Sequence, residues 1–365
     1  MPYLIDAHED LAVNILGFKR DYRLAAADIR RQEAGPPNAE RNGGEATLGW
    51  PDYQLGQVAM VFATLFIAPR HLSKEWDTQA YKDPSEARHL HQAQLDAYLR
   101  LCDGSPEQFG LVRSKAELKT ALKPWKSVPA NFPQETHPVG MMITMEGAEG
   151  LGHVEELEYW WENGVRLVGP VWGGGRYCGS NREPGPVTSE GRRLMDKMAE
   201  LGFMLDLSHM SEQTILQVLD FYPGEIAATH ANARALVKGS TSQRLFSDEC
   251  IAGLVERDGV MGVVPFNVFL VPEWKNSDPR STVPLTLIAD QIDHICQIAG
   301  DARHAAIGTD FDGGFGWPSI PAELDTIADI PKLIPILHSR GYNEDDIAAI
   351  FHGNWERTLE RSLPA

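Results

Sequence analysis

The chain has 365 residues, 43% of them hydrophobic and 23% charged, a balance that suits a soluble globular protein and allows one large core. Its 51 acidic residues against 33 basic ones give a net charge of -18, which repels nucleic acid phosphates and anionic membrane surfaces. Neither class of partner is expected. Cys102, Cys178, Cys250 and Cys296 form no C-x-x-C pair, so they read as reduced thiols. The opening residues lack a leader-like pattern and no run reaches the ~18 apolar residues of a membrane span, so a cytoplasmic location is expected.

In chain order, Tyr3-Leu-Ile-Asp-Ala-His8-Glu-Asp10 predicts a first strand, with His8 and Asp10 on one face because side chains two apart share it. Residues 17–50 are charged and then rich in Gly and Pro, and read as an insertion of one or two helices and an irregular loop. The apolar run from Val58 to Ala68 predicts a strand buried on both faces, and Glu86 to Arg100 carries helical spacing. The polar, proline-containing stretch 101–138 is expected to wrap the outside. Val139 to Glu146 is the third strand and Gly164 to Trp172 the fourth, followed by a glycine-rich loop to Pro186.

Thr188, Ser211 and Ser247 are expected helix caps, each followed by acidic residues in the first turn. The runs ending at His209 and His230 predict strands five and six, Gly259 to Asn267 strand seven, and Ala305 to Gly313 strand eight. A helix over Leu285 to Ala299 precedes the last strand, and two helices within 327–363 close the chain. Eight strands alternating with helices, without a composition break, predict a single-domain (β/α)8 barrel with loop insertions.

The polar residues fall where such a barrel builds its site. His8, Asp10, Glu146, His209, His230 and Asp310 all lie at or just past the downstream end of a strand. One strand-end histidine is ordinarily a hydrogen-bonded structural residue. Three imidazoles and two carboxylates from four strands exceed the three protein ligands of a single catalytic zinc. They suit two borderline ions ~3.5–4 Å apart that share a carboxylate and a water activated for hydrolysis. Asp310 is placed for acid/base work, and Asp312 for capping a helix or orienting a ligand. Amidohydrolases of the His-x-His type match poorly, because the first strand carries His8-Glu-Asp10 and no lysine lies between Gly164 and Val187.

The ordered pieces Asp6-Ala-His8-Glu-Asp10, Met145-Glu146-Gly, Asp206-Leu-Ser-His209-Met-Ser, Thr229-His230-Ala-Asn-Ala-Arg, Arg244-Leu-Phe-Ser-Asp248 and Gly308-Thr-Asp310-Phe-Asp-Gly313 resemble the renal (membrane) dipeptidase family of binuclear zinc peptidases. Gly353-Asn-Trp-Glu-Arg resembles that family's last helix. The resemblance implies two zinc ions per chain, with His8 and Asp10 on one, His209 and His230 on the other, and Glu146 bridging. It further implies Asp310 as the proton-transferring residue and Arg244 as the grip on the carboxylate of a dipeptide substrate. A homodimer is compatible with it, although no surface stripe specifies one.

One position departs from the pattern. Trp172 stands where well-studied dipeptidases carry a histidine thought to stabilise the oxyanion, and an indole N–H donates one uncharged hydrogen bond. Arg176 or Tyr177, just downstream, is the expected substitute in substrate binding. Two other readings remain open: hydrolysis of another small amide, such as an acylated amino acid or lactam, and a degenerate relative that only binds metal.

Overall fold

The computed structural model describes residues 2–35, 44–75, 77–126 and 136–365. Eight parallel strands follow one another in sequence order: β1 (Leu4–Glu9), β2 (Val58–Phe66), β3 (Val139–Glu146), β4 (Val165–Gly169), β5 (Met204–Asp206), β6 (Ile226–Ala228), β7 (Val260–Val263) and β8 (Ala305–Ile307). Their residues are buried almost throughout, as expected of parallel strands covered by helices on the outside. The ring closes by a parallel bridge between Glu9 and Phe311 and by the Asp310 N–H donating to the His8 carbonyl at 3.1 Å. This is a nearly closed (β/α)8 barrel in one domain, as the strand count predicts.

The caps expected on the outer helices form. Thr188, Ser211 and Ser247 each accept a backbone N–H in the first turn of the helices Ser189–Leu201, Glu212–Phe221 and Asp248–Glu256. Gly202 ends the first of these at φ 91, a left-handed conformation that favours glycine. Near the C-terminus, Asn354 donates to the carbonyls of Ala302 and Ala305, and the Trp355 indole donates to Ile307. The closing helix Asn354–Ser362 is thereby bolted to β8.

Two expectations need correction or narrowing. Strands five, six and eight are shorter than the apolar runs suggest, so His209, His230 and Asp310 stand two or three residues beyond their strands. The cause is local: Asp206 accepts from the N–H groups of Ser208 and Thr229, and Asp6 from that of Thr309, which diverts these groups from the strand ladder. Within the 17–50 insertion lies a helix, Ala26–Gln32, and a second begins at its end, Trp50–Gly56; the expected irregular loop includes residues 36–43, outside the described residues. Likewise 127–135 of the expected outer wrap lie outside them.

Candidate metal centre and substrate cavity

β1 ends by presenting His8, Asp10 follows it immediately, and Glu146 is the last residue of β3. The His8 Nε2 lies 3.3 Å from Glu146 Oε2, 3.8 Å from Asp10 Oδ1 and 3.8 Å from Asp310 Oδ1. On the other side of the same carboxylate, His209 Nε2 is 2.6 Å and His230 Nε2 3.6 Å from Glu146 Oε1, and the two Nε2 atoms are 2.9 Å apart. Of three such donor groups among the described residues, His8/Asp10/Glu146 and Glu146/His209/His230 share Glu146, and the third joins His8, His230 and Asp310. Donors around a tetrahedral zinc stand about 3.3 Å from one another, and these separations bracket that value.

Tautomers add a second test of fit. The Thr229 hydroxyl donates to Asp206 Oδ2 at 2.6 Å, so its lone pair accepts the Nδ1–H of His230 at 2.8 Å. Asn181 Oδ1 lies 3.3 Å from His209 Nδ1, and Thr64 Oγ1 lies 3.4 Å from His8 Nδ1. Each ring thus has an oxygen at Nδ1 and turns Nε2 toward Glu146, as metal-ligating histidines do. His8 Nε2, Asp10 Oδ1 and Glu146 Oε1 are buried without hydrogen-bond partners among the described residues. Buried polar atoms left this way are costly unless a cation completes them.

The charges are strained accordingly. Burial holds the Asp10 carboxyl well above the usual carboxylate range and lowers the pKa values of His209 and His230. Burial works against ionisation of Glu146 too, but His209 and His8 beside it hold its carboxyl well below the usual range. The Asp310 carboxyl is pushed up to about 7, chiefly by burial and also by Glu146, which suits a group that takes and returns a proton near neutral pH. Asp310 sits at φ 56, and a Cβ on Gly313 would come within 2.0 Å of its Oδ1, so only glycine leaves the carboxylate in place. Asp312 belongs to none of these donor groups: Arg20, Tyr22 and Thr47 hold its carboxylate, and Asn14 ties its carbonyl to that of Asp10.

The cluster opens into a cavity of about 520 Å³ lined by Asp10, Glu146, His209, Asp310, Arg244 and Trp172, with Phe66, Phe266, Phe269 and Phe315 on its walls. Arg244 is buried; one Nη donates to the His230 carbonyl at 2.7 Å and the other has no partner among the described residues. Trp172 packs edge-on against Phe66 at 5.1 Å and lies 6.1 Å from the His209 ring. Tyr177 is the residue that the sequence places wrongly. It is fully buried, its hydroxyl faces the Leu151 carbonyl, and it does not line the cavity. Arg176 is equally occupied, by Glu190 and the carbonyls of Leu151 and Gly152.

Several contributing residues escaped the sequence reading. Asp206 and Thr229 lie inside the motifs but read as bystanders to the histidines. Asn181 and Arg182 sit in a glycine-rich loop with no periodicity, and only folding brings Arg182 over the Trp172 ring, 4.5 Å from its centroid.

A barrel with nitrogen and oxygen donors converging at the C-terminal rim of its strands, beside an ionisable carboxyl, defines a hydrolase of the metal-centre type. Comparison with known proteins specifies it further. The chain belongs to the membrane dipeptidase family, peptidase family M19, whose model matches residues 2–362. It is 31% identical over 237 residues to an uncharacterised protein of the pqqA 5′ region of Klebsiella pneumoniae, covering 62% of this chain and 83% of that one. It is 29% identical over 232 residues to dipeptidase aclJ of Aspergillus oryzae, covering 61% of this chain and spanning about half (52%) of that relative. A solved metallopeptidase, dipeptidase AC, superposes with a TM-score of 0.77 at 24% identity, over 100% of this chain and 99% of its own. No helix among the described residues is long and apolar enough to cross a membrane.

Proposed function

We propose that this protein hydrolyses dipeptides with two zinc ions, one held by His8 and Asp10, the other by His209 and His230, with Glu146 between them. The observation that carries the reading is the convergence of three Nε2 atoms on the two oxygens of one buried carboxylate, next to Asp310 and an unpartnered guanidinium nitrogen of Arg244. Bound there, the ions supply an activated water and polarise the scissile carbonyl.

The chain's own residues do the rest. Arg244 accepts the terminal carboxylate of the substrate on its free Nη, which fixes which amide lies over the cluster. Asp310, 3.8 Å from His8 at the edge of the cluster, takes the proton released on attack and returns it to the departing amine. The phenyl walls exclude bulk water from that exchange. Trp172 borders the same space and offers its N–H to the substrate.

The test is a panel of L-L and L-D dipeptides given to the zinc-reconstituted protein and to its Asp310→Asn variant. Release of amino acids by the first and a loss of about 10²–10⁴-fold in the second are expected. No release by either would end the dipeptidase reading. An acylated amino acid turned over far faster than every dipeptide would move the substrate class while keeping the metal chemistry.

A further inference from the structure

Two cations at the mouth of the cavity, Arg182 and Lys74, form no ion pair among the described residues. Arg182 is carried by a turn that is pinned to the segment bearing His209. The Ser180 hydroxyl accepts the N–H groups of Arg182 and Glu183, Ser180 bridges to Met210, and the Asn181 N–H donates to the His209 carbonyl at 2.8 Å. From this fixed turn the guanidinium lies on the Trp172 ring. Gly173 makes the approach possible, since a Cβ there would fall 2.7 Å from Leu72 Cδ1 and 3.5 Å from Arg182 Cδ. The segment carrying Leu72 and Lys74 is tied to the same turn by the His71–Glu183 pair at 3.3 Å. Lys74, like Arg182, lines the cavity.

Among the described residues, neither the Arg182 guanidinium nor the Lys74 ammonium makes a hydrogen bond or an ion pair, in a chain with an acidic excess of 18 charges. Neither Glu183 nor Asp77, close to them in sequence, forms an ion pair with them, although Asp77 lines the same cavity. Glu183 pairs with His71, and the Asp77 carboxylate accepts the Gln79 N–H at 2.8 Å. Arg20, which also lines the cavity, is neutralised by Glu33 and Asp312. A guanidinium resting on an indole face keeps its in-plane N–H groups available to a planar acceptor.

Resting on the dipeptidase reading, which assigns the terminal carboxylate to Arg244, we propose that Arg182 and Lys74 recognise a second carboxylate, on a side chain of the substrate. The preferred substrates are then dipeptides that contain aspartate or glutamate.

The test compares Ala-Glu with Ala-Gln, and Glu-Ala with Gln-Ala, pairs of nearly equal shape that differ in charge. With zinc-loaded protein, kcat/KM favours the acidic member of at least one pair by about fivefold for each cation, because both pairs are exposed, and the ratio shrinks as salt is added. Within Arg182→Gln/Lys74→Gln protein the acidic-to-amide ratio falls to about one, and Arg182→Lys restores part of it. Binding of the same four peptides to zinc-loaded Asp310→Asn protein, measured by calorimetry, separates the two readings. Preferential binding of the acidic peptides without turnover by the parent enzyme would sink the dipeptidase reading and leave only the recognition of the second carboxylate by Arg182 and Lys74 standing. Equal handling of Glu and Gln peptides by both turnover and binding, or a preference that survives in the double variant, overturns it.

Discussion

Asp206 grips Thr229 at both ends, accepting its backbone N–H at 3.0 Å on Oδ1 and its hydroxyl at 2.6 Å on Oδ2. Because that hydroxyl is thereby oriented, it can only accept from His230 Nδ1, and the lone pair of Nε2 is left for the cluster. Thr229→Val keeps the shape and removes the acceptor. Zinc affinity at the His209/His230 position is expected to fall about 10–100-fold, read by competition with a chelating dye. Asp6 holds Thr309, the residue before Asp310, through the same two atoms, so the device is used twice on this rim.

Gly313→Ala tests the placement of Asp310 without changing any titratable group. The added methyl collides with the carboxylate oxygen and with the Asp310 carbonyl, 2.8 Å away. We expect kcat to drop on the order of 10²-fold while two zinc ions per chain are still found by elemental analysis. Loss of metal together with activity would instead make Gly313 a residue of the metal site.

Arg244→Met removes the unpartnered nitrogen that faces the cavity. For free dipeptides, kcat/KM should fall roughly 10–100-fold, mainly through KM, the range of a charge-assisted hydrogen bond. A dipeptide amide, which has no terminal carboxylate, should lose far less. Equal losses on both substrates would contradict the assignment.

His91 gives a pH prediction remote from the cluster. It is completely buried, neither ring nitrogen has a partner among the described residues, and burial pulls its pKa down to about 3 from 6.5. The folded value lies below the unfolded one, so between them the unfolded chain holds the extra proton. Stability from this group is complete above the ordinary pKa and is lost as the pH falls through that window, at up to about 1.4 kcal/mol per unit. Urea midpoints taken from pH 7 to pH 4 should decline less steeply in His91→Phe than in the parent. Parallel curves would show that the imidazole finds a partner.

Much of the fold was legible because parallel strands buried on both faces must be apolar runs, and β2 and β3 are such runs nearly to their ends. The ends of β5, β6 and β8 were not legible. There the Asp206 and Asp6 side chains compete with the ladder for backbone N–H groups, locally at Ser208, but for β6 and β8 between residues 23 and 303 positions apart, which no local pattern records. Tyr177 failed for a related reason: Trp172 and Arg182, five positions to either side, line the cavity, yet the packing of the helix Ser189–Leu201 against its backbone leaves the ring inside the wall.

By itself the sequence determined the barrel, its family and the kinds of donor atom at its rim, since periodicity and motif order are properties of the chain read along its length. Tertiary structure alone decided which nitrogen each imidazole turns inward, that Arg182 and Lys74 share a mouth with Trp172, and how high the Asp310 carboxyl titrates. Each of these depends on distances of a few ångströms between remote segments and on the exclusion of water, and both come into being only when the ring of strands closes.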